Sequence, residues 1–287
     1  MQGRVCLVTG ATNGLGFVSA RVLAERGAHV IAVGRDAERT QRAVQEIRGR
    51  TGNAAVDGLT ADLSSQRDVR ALAQQVIARY PALHVLLNNA GAMFFQRQLS
   101  ADGIEMTFAL NHLGYFLLTE LLLPLLTASG APGRAARIVN VSSEAHRRAR
   151  IDFDDLESAR RYVPFLVYSR SKLENILFTY ELARRLAASP AAERVTTNTL
   201  HPGVVASGFY GRRRGVIRAA YPIFRLFLIS SERGARTQTY LSSSPAVEGV
   251  TGRYFVKERE RRSAPASYDV ESARRLWEIS ERLAPTS

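Results

Sequence analysis

The sequence predicts a single α/β domain of the doubly wound kind, a seven-stranded parallel sheet with helices on both faces. Short apolar runs alternate with longer amphipathic ones along the chain, the β-α-β-α order that a parallel sheet requires. The apolar runs carry Val, Ile, Leu and Ala on both parities, as strands buried on both sides do. No internal repeat, low-complexity tract or Pro/Gly/Ser linker divides the 287 residues, so residues 1–287 are read as one domain.

In chain order, strands are expected at residues 4–9, 28–34, 54–61, 83–88, 137–142, 195–200 and 249–256, and helices at 15–26, 37–48, 66–79, 103–126 and 168–188. Residues 207–229 interrupt the alternation. This insertion holds Arg212, Arg213 and Arg214 beside Phe209, Tyr210, Tyr221, Ile223, Phe224 and Phe227. Loops of that length inside compact domains are usually functional. The composition suits a lid over an apolar substrate, a basic amphipathic surface resting on an anionic membrane, or ordinary packing onto the sheet.

A hydrophobic fraction of 46% and a charged fraction of 23% are those of an ordinary folded chain and exclude disorder. The single cysteine, Cys6, lies inside an apolar run, cannot form an internal disulfide and is read as a small core residue. No signal-peptide pattern precedes the first strand, and the apolar runs 116–126 and 223–229 fall short of the roughly 20 residues of a membrane span, so a cytoplasmic chain with at most peripheral membrane contact is expected. The net charge of +13 invites a nucleic-acid reading. Of the 39 basic residues, however, only Lys172 and Lys257 are lysine, and the other 37 are arginines scattered over helix faces rather than gathered with aromatics. No nucleic-acid partner is expected.

The segment Thr9, Gly10, Ala11, Thr12, Asn13, Gly14, Leu15, Gly16 closes the first strand and opens the first helix, where free backbone N–H groups and the helix dipole favour an anion. Gly10 permits the tight turn, Gly14 lets the backbone approach a pyrophosphate, and Gly16 lets the helix lie close to the strand. The second strand ends at Gly34 and Arg35. Arginine at that place accommodates a ribose 2′-phosphate, whereas a carboxylate would bond the free hydroxyl. Arg35 is the expected phosphate clamp and Asp36 the cap of the next helix, which predicts preference for NADP(H), with NAD(H) as the other cofactor to test.

Tyr168 and Lys172 stand four residues apart and hence on one helix face. A free phenol titrates near pH 10, and a neighbouring cation favours the phenolate. Such a pair can give a proton to a carbonyl or take one from an alcohol. By itself the spacing occurs in many helices and says little.

With the surrounding motifs the chain resembles the short-chain dehydrogenase/reductase family, within it most closely the group of retinol dehydrogenases and WW-domain oxidoreductases. The residues that carry the resemblance are the turn 9–16, Asp62-Leu63, Asn88-Asn89-Ala90-Gly91, Asn111-His112-Leu113-Gly114, Val141-Ser142-Ser143, Tyr168 with Lys172, and His201-Pro202-Gly203. The resemblance implies a Rossmann-type fold and a catalytic set of Asn111, Ser143, Tyr168 and Lys172. In it Ser143 bonds the substrate oxygen, with Ser142 the weaker candidate. Tyr168 is the acid/base, Lys172 tunes it and holds the nicotinamide ribose, and Asn111 anchors a water that links Lys172 to solvent.

For the cofactor the resemblance implies the turn residues Gly10, Thr12, Asn13, Gly14, Leu15 and Gly16, then Arg35, Asp62, Leu63, Asn89, Ala90 and Gly91, and finally Pro202, Gly203, Val205 and Ser207 near the nicotinamide. Asp62, Asn89 and Ser207 could equally cap a helix or end a strand.

Departures from the family pattern are His84, where an acidic residue is common, and the extra residues 146–166 between Ser143 and Tyr168. His112, His146 and His201 lack metal spacing and are read as structural or rim residues, so no metal is expected.

Together these features predict hydride transfer between NADP(H) and the carbonyl or alcohol of an apolar, retinoid-like or lipid substrate. The competing reading is a catalytically silent dinucleotide sensor or scaffold. Helix 103–126 also offers an apolar face through which two copies could pair as a homodimer.

Overall fold

The computed structural model describes residues 1–203 and 230–286. The alternation of apolar and amphipathic segments produces parallel strands β1 (Val5–Thr9), β2 (His29–Gly34), β3 (Val56–Thr60), β4 (Val85–Asn88), β5 (Ala136–Val141), β6 (Val195–His201) and β7 (Arg253–Val256). Their order in the sheet is β3-β2-β1-β4-β5-β6-β7, followed by a short eighth strand, β8 (Arg259–Glu260), antiparallel to β7. The sequence predicts seven strands, all parallel; β8 is the difference. It forms because Lys257 and Glu258 take left-handed φ of 52° and 62°, as a two-residue hairpin turn requires, although neither residue type favours that region.

Helices α1 (Gly14–Glu25), α2 (Ala37–Thr51) and α6 (Ser231–Ser243) cover one face of the sheet. Helices α3 (Gln66–Arg79), α4 (Met106–Ser129), α5 (Pro164–Ala187) and α7 (Val270–Leu283) cover the other. The period of two along β1 sends Cys6 and Val8 to the first face, among Leu23, Val44, Ile47 and Leu241, and Leu7 to the second, among Leu72, Phe116 and Leu177. Burial of Cys6 pushes its thiol up to about 12, so it stays a protonated core residue.

Helix α4 is long and apolar enough to cross a membrane by length and composition, but 67% of its most apolar window is buried inside the fold. It is a core helix whose apolar character reflects packing between the sheet and α3. Pro164 opens α5 at the first helical position, where its missing N–H costs nothing, so the helix starts one turn before the expected residue 168 and Tyr168 sits inside regular helix. At the far end of the chain, α7 lays Trp277 edge-on to Phe116, ring centres 5.1 Å apart, and stacked on Phe178 at 5.7 Å.

One buried carboxyl in this packing has a stability consequence. Glu174 on α5 is 1% exposed and its Oε2 has no partner among the described residues. Burial, with Glu105 adding and Arg170 opposing, pushes its carboxyl up to about 8. A carboxyl whose folded value lies above its unfolded value of 4.5 contributes stability that is full below 4.5 and is lost as the pH rises towards 8. Glu174→Gln should therefore stabilise the protein by about 4 kcal/mol at pH 8 and by little at pH 5. Urea unfolding of both proteins at the two pH values checks this, and a gain of equal size at each would contradict it.

Candidate active site

The carboxyl ends of β1 and β4 meet where the strand order reverses, and two backbone segments are locked together there. Thr9 Oγ1 donates to the Leu87 carbonyl (3.2 Å) and accepts from the N–H groups of Asn89 (2.8 Å) and Ala90 (3.0 Å). Asn89 Nδ2 donates to the Thr9 carbonyl at 2.8 Å and its Oδ1 accepts from Gln238 on α6. The amide of Asn89 thus holds the glycine turn in place. Gly10 takes a left-handed φ of 66°, and a Cβ on Gly16 would lie 2.2 Å from the Gly10 carbonyl oxygen. Helix α1 therefore lies against the strand end as only glycine allows.

Asn13 stands at the N-cap of α1 without a side-chain capping bond, and the first turn carries no acid. Its N–H groups and the dipole face outward beside half-buried Thr12 and Leu15, a cradle that fits a pyrophosphate. Arg35 directly follows β2 and is exposed; Asp36 caps α2, accepting from Arg39 N at 2.8 Å. Asp62 Oδ1 accepts from the backbone and hydroxyl of Ser64 at 3.0 and 2.7 Å, so this carboxylate is fixed by a local turn after β3. Leu63 is buried, with its carbonyl close against Gly114.

The second half of the site lies between α4 and α5. Residues Ala109–Leu113 form a π-helical segment inside α4, a local widening that is frequent at functional sites. It aims Asn111 inward. Asn111 Oδ1 accepts from Ala92 N (2.9 Å), and its Nδ2 donates to the Ala92 carbonyl and to Ser171 Oγ, both at 2.9 Å. Both ends of the amide are held by protein groups, so any water that Asn111 anchors falls to its main chain. Ser171 in turn donates to the Tyr168 carbonyl at 2.8 Å, which ties the π segment to the turn of α5 that carries Tyr168.

Lys172 is 4% exposed, and its Nζ donates to the Val141 carbonyl at 3.1 Å and lies 5.7 Å from the centre of the Tyr168 ring. Burial lowers its ammonium to about 7. A Cβ on exposed Gly91 would approach both Asn111 Oδ1 (3.1 Å) and Lys172 Nζ (3.3 Å), so the segment after β4 comes as close to the amine as a side chain would permit. Ser142 is used structurally, donating to the Lys172 carbonyl at 2.7 Å. Half-buried Ser143 accepts a long bond from Ala145 N (3.3 Å), which leaves its O–H to donate.

The three histidines brace this geometry. Ala264 N–H donates to His146 Nε2 at 3.0 Å, which makes Nδ1 the protonated nitrogen that donates to the Ser143 carbonyl at 2.6 Å. His201 Nδ1 accepts from Glu144 N at 3.1 Å, and burial lowers the ring to about 4. His112 bonds Ser280 on α7 at 2.8 Å. At the distant end of β1, His84 Nδ1 accepts from Val5 N at 3.0 Å, so an imidazole caps the strand there. Among the described residues no group of three or more His, Cys, Asp and Glu could hold a metal ion.

Asn111 on α4 and Tyr168 and Lys172 on α5 thus come together beside Gly91, and Ser143 follows the end of β5, whose Val141 carbonyl takes the bond from Lys172. Pro202 and Gly203 follow the end of β6, with Gly203 at a φ of 96°. Val205, Ser207 and the lobe 207–229 lie outside the described residues. The sequence reading named Thr9 only as part of the turn and gave no role to Ser171 or to Asn175, whose Nδ2 shares the Val141 carbonyl with Lys172 at 3.4 Å. Helical spacing from Tyr168 and Lys172 is the signal that would have found the latter two.

The short chain dehydrogenase family model matches residues 4–214. Mouse retinol dehydrogenase 14 is 44% identical over 98% of this chain and 86% of its own length. Human polyprenol dehydrogenase is 40% identical over 96% of this chain and 84% of its own. Among solved structures, the active-site complex of Pseudomonas aeruginosa RhlG with NADP aligns with a TM-score of 0.72 and 26% identity over 89% of this chain and 94% of that one.

The close approach at Gly16 makes a direct test. Gly16→Ala forces its Cβ against the Gly10 carbonyl and should weaken dinucleotide binding by at least about tenfold. Quenching of Trp277 or enhancement of NADPH fluorescence on titration measures it, and an unchanged affinity would refute the role given to this contact.

Proposed function

The chain belongs to the short chain dehydrogenase family, and from that premise we propose that it moves a hydride between NADP(H) and the carbonyl or alcohol carbon of an apolar substrate. It is a nicotinamide-dependent oxidoreductase acting on alcohol and carbonyl groups. The observation that carries the finer reading is a buried lysine amine 5.7 Å from the ring of Tyr168, one turn away on the same helix, facing Asn111 and Gly91.

The uncapped first turn of α1 and the close packing at Gly16 fit a bound dinucleotide, held by residues 10–16, Arg35, Asp62, Asn89 to Gly91, Pro202 and Gly203. When bound, the cofactor supplies the hydride in reduction and receives it in oxidation. Tyr168 gives its phenolic proton to the substrate oxygen in reduction and takes it back in oxidation. Ser143 Oγ donates a hydrogen bond to that oxygen and stabilises negative charge as it develops. Lys172, when charged, favours the phenolate and bonds the nicotinamide ribose; the main chain of Asn111 anchors the water through which the proton is replaced.

Preference for NADP(H) is supported by exposed Arg35 at the end of β2 and by Asp36, whose Oδ1 is engaged in capping α2. An apolar substrate is supported by the names of the relatives, a retinol and a polyprenol dehydrogenase. Helix α4 is committed to the core, so membrane contact in this reading is peripheral and made by other surfaces. Pairing of two copies would use the part of α4 left open around Leu123, Pro124 and Thr127.

Tyr168→Phe should lower kcat by roughly 10²- to 10⁴-fold while dinucleotide affinity is kept. Cofactor oxidation with a panel of aliphatic, retinoid, steroid and sugar carbonyls reads both reaction and substrate class, and turnover confined to sugars would overturn the apolar assignment. Arg35→Ala should cost at least about tenfold in NADPH affinity and leave that for NADH within about twofold; equal losses for the two cofactors would remove Arg35 from the phosphate site.

A further inference from the structure

Tyr115 stands four residues beyond Asn111 on α4, just past the π segment, and its ring approaches Lys172 on α5. It is wholly buried, and its hydroxyl has no hydrogen-bond partner among the described residues. An orphaned buried hydroxyl is a net cost that phenylalanine, with the same shape, would avoid. Its surroundings give the reason for keeping it. Lys172 Nζ lies 5.8 Å from the centre of the Tyr115 ring and 5.7 Å from that of Tyr168, so two phenols flank one amine.

An ammonium carries three donors. The acceptor seen for Lys172 among the described residues is the Val141 carbonyl, which Asn175 shares. Burial, reinforced by the field of Tyr168, holds the Tyr115 phenol well above the ordinary tyrosine value, so it remains a neutral hydroxyl at working pH.

We propose that Tyr115 is a positioning residue for proton transfer: through one water molecule its hydroxyl gives Lys172 a second acceptor and keeps the cation charged beside Tyr168. The proposal rests on the reading of Tyr168 as the acid/base group. The titratable groups that face Lys172 among the described residues are Tyr168 on its own helix and Tyr115 on α4; β5 and the segment after β4 present the Val141 carbonyl and Gly91.

The test is Tyr115→Phe in protein carrying ¹³Cζ-labelled tyrosine, with the Tyr168 resonance assigned by its loss in Tyr168→Phe. Loss of the second acceptor destabilises the ammonium, so the titration midpoint of Tyr168 should rise by at least about half a pH unit. An unchanged or lowered Tyr168 midpoint overturns the proposal. The titration needs neither substrate nor dinucleotide. Failure of the parent protein to reduce any carbonyl would defeat the oxidoreductase reading by a separate measurement.

Discussion

The site depends on burying one amine, Lys172, without a carboxylate beside it among the described residues. An ammonium withdrawn from water into protein costs several kcal/mol unless something answers its charge. Here the answer is a carbonyl, two phenol rings and a lowered affinity for the proton, which brings the amine to about 7. A permanent ion pair would hold the charge more cheaply but would fix it, whereas a partner that is itself a phenol leaves the proton exchangeable near neutrality. The surrounding contacts secure the amine's position: Ser142 holds the Lys172 carbonyl, and Ser171 ties the turn of Tyr168 to Asn111.

The topology brings a dinucleotide cradle to that amine. Strand order runs outward from β1 to β3 on one side and from β4 to β7 on the other, and at the reversal the connections leave in opposite directions and open a crevice. Thr9 closes the bottom of the crevice by bonding three backbone groups of the segment 87–90, and Asn89 returns the bond to Thr9. These bonds fix the distance between the glycine turn on β1 and Gly91, which lies against Lys172. Cradle and acid/base pair are therefore held by one piece of rigid sheet edge, the condition for placing a reacting carbon between them.

Much of this was legible in the sequence because it is periodic or local. Strand and helix positions follow from alternation; the glycine turn follows from a strand end that needs a left-handed φ at Gly10 and no side chain at Gly16; Tyr168 and Lys172 follow from helical spacing. What escaped depends on tertiary contact or weak local preference. Strand β8 rests on a turn made by Lys257 and Glu258, which carry no turn signal. The sequence reading named no element after residue 256, so α7 and the burial of Trp277 against Phe116 and Phe178 came from the structure alone. The π segment has no composition of its own, and nothing in the sequence says that the Asn111 amide is spent on Ala92 and Ser171. Asp62 and Asn89 could be placed at the site by motif, but only geometry shows that Asp62 is bonded to its own local turn and that Asn89 reaches across the sheet to the Thr9 carbonyl.

The π segment links two parts of the fold that sequence distance separates. Widening one turn of α4 lets consecutive residues serve opposite neighbours: Asn111 faces Ala92 and Ser171, while His112 faces Ser280 on α7 and stacks on Phe108 at 5.3 Å. His112 is buried, and burial lowers its ring to about 3, so it remains a neutral partner for the Ser280 hydroxyl across the physiological range. A π turn is less favourable than regular helix and persists where its surroundings over-determine it. The bond to Ser280 supplies that surplus from outside the site. The C-terminal helix thereby helps to hold the segment that carries the Asn111 amide, and its packing through Trp277 on Phe116 acts on the same stretch of α4.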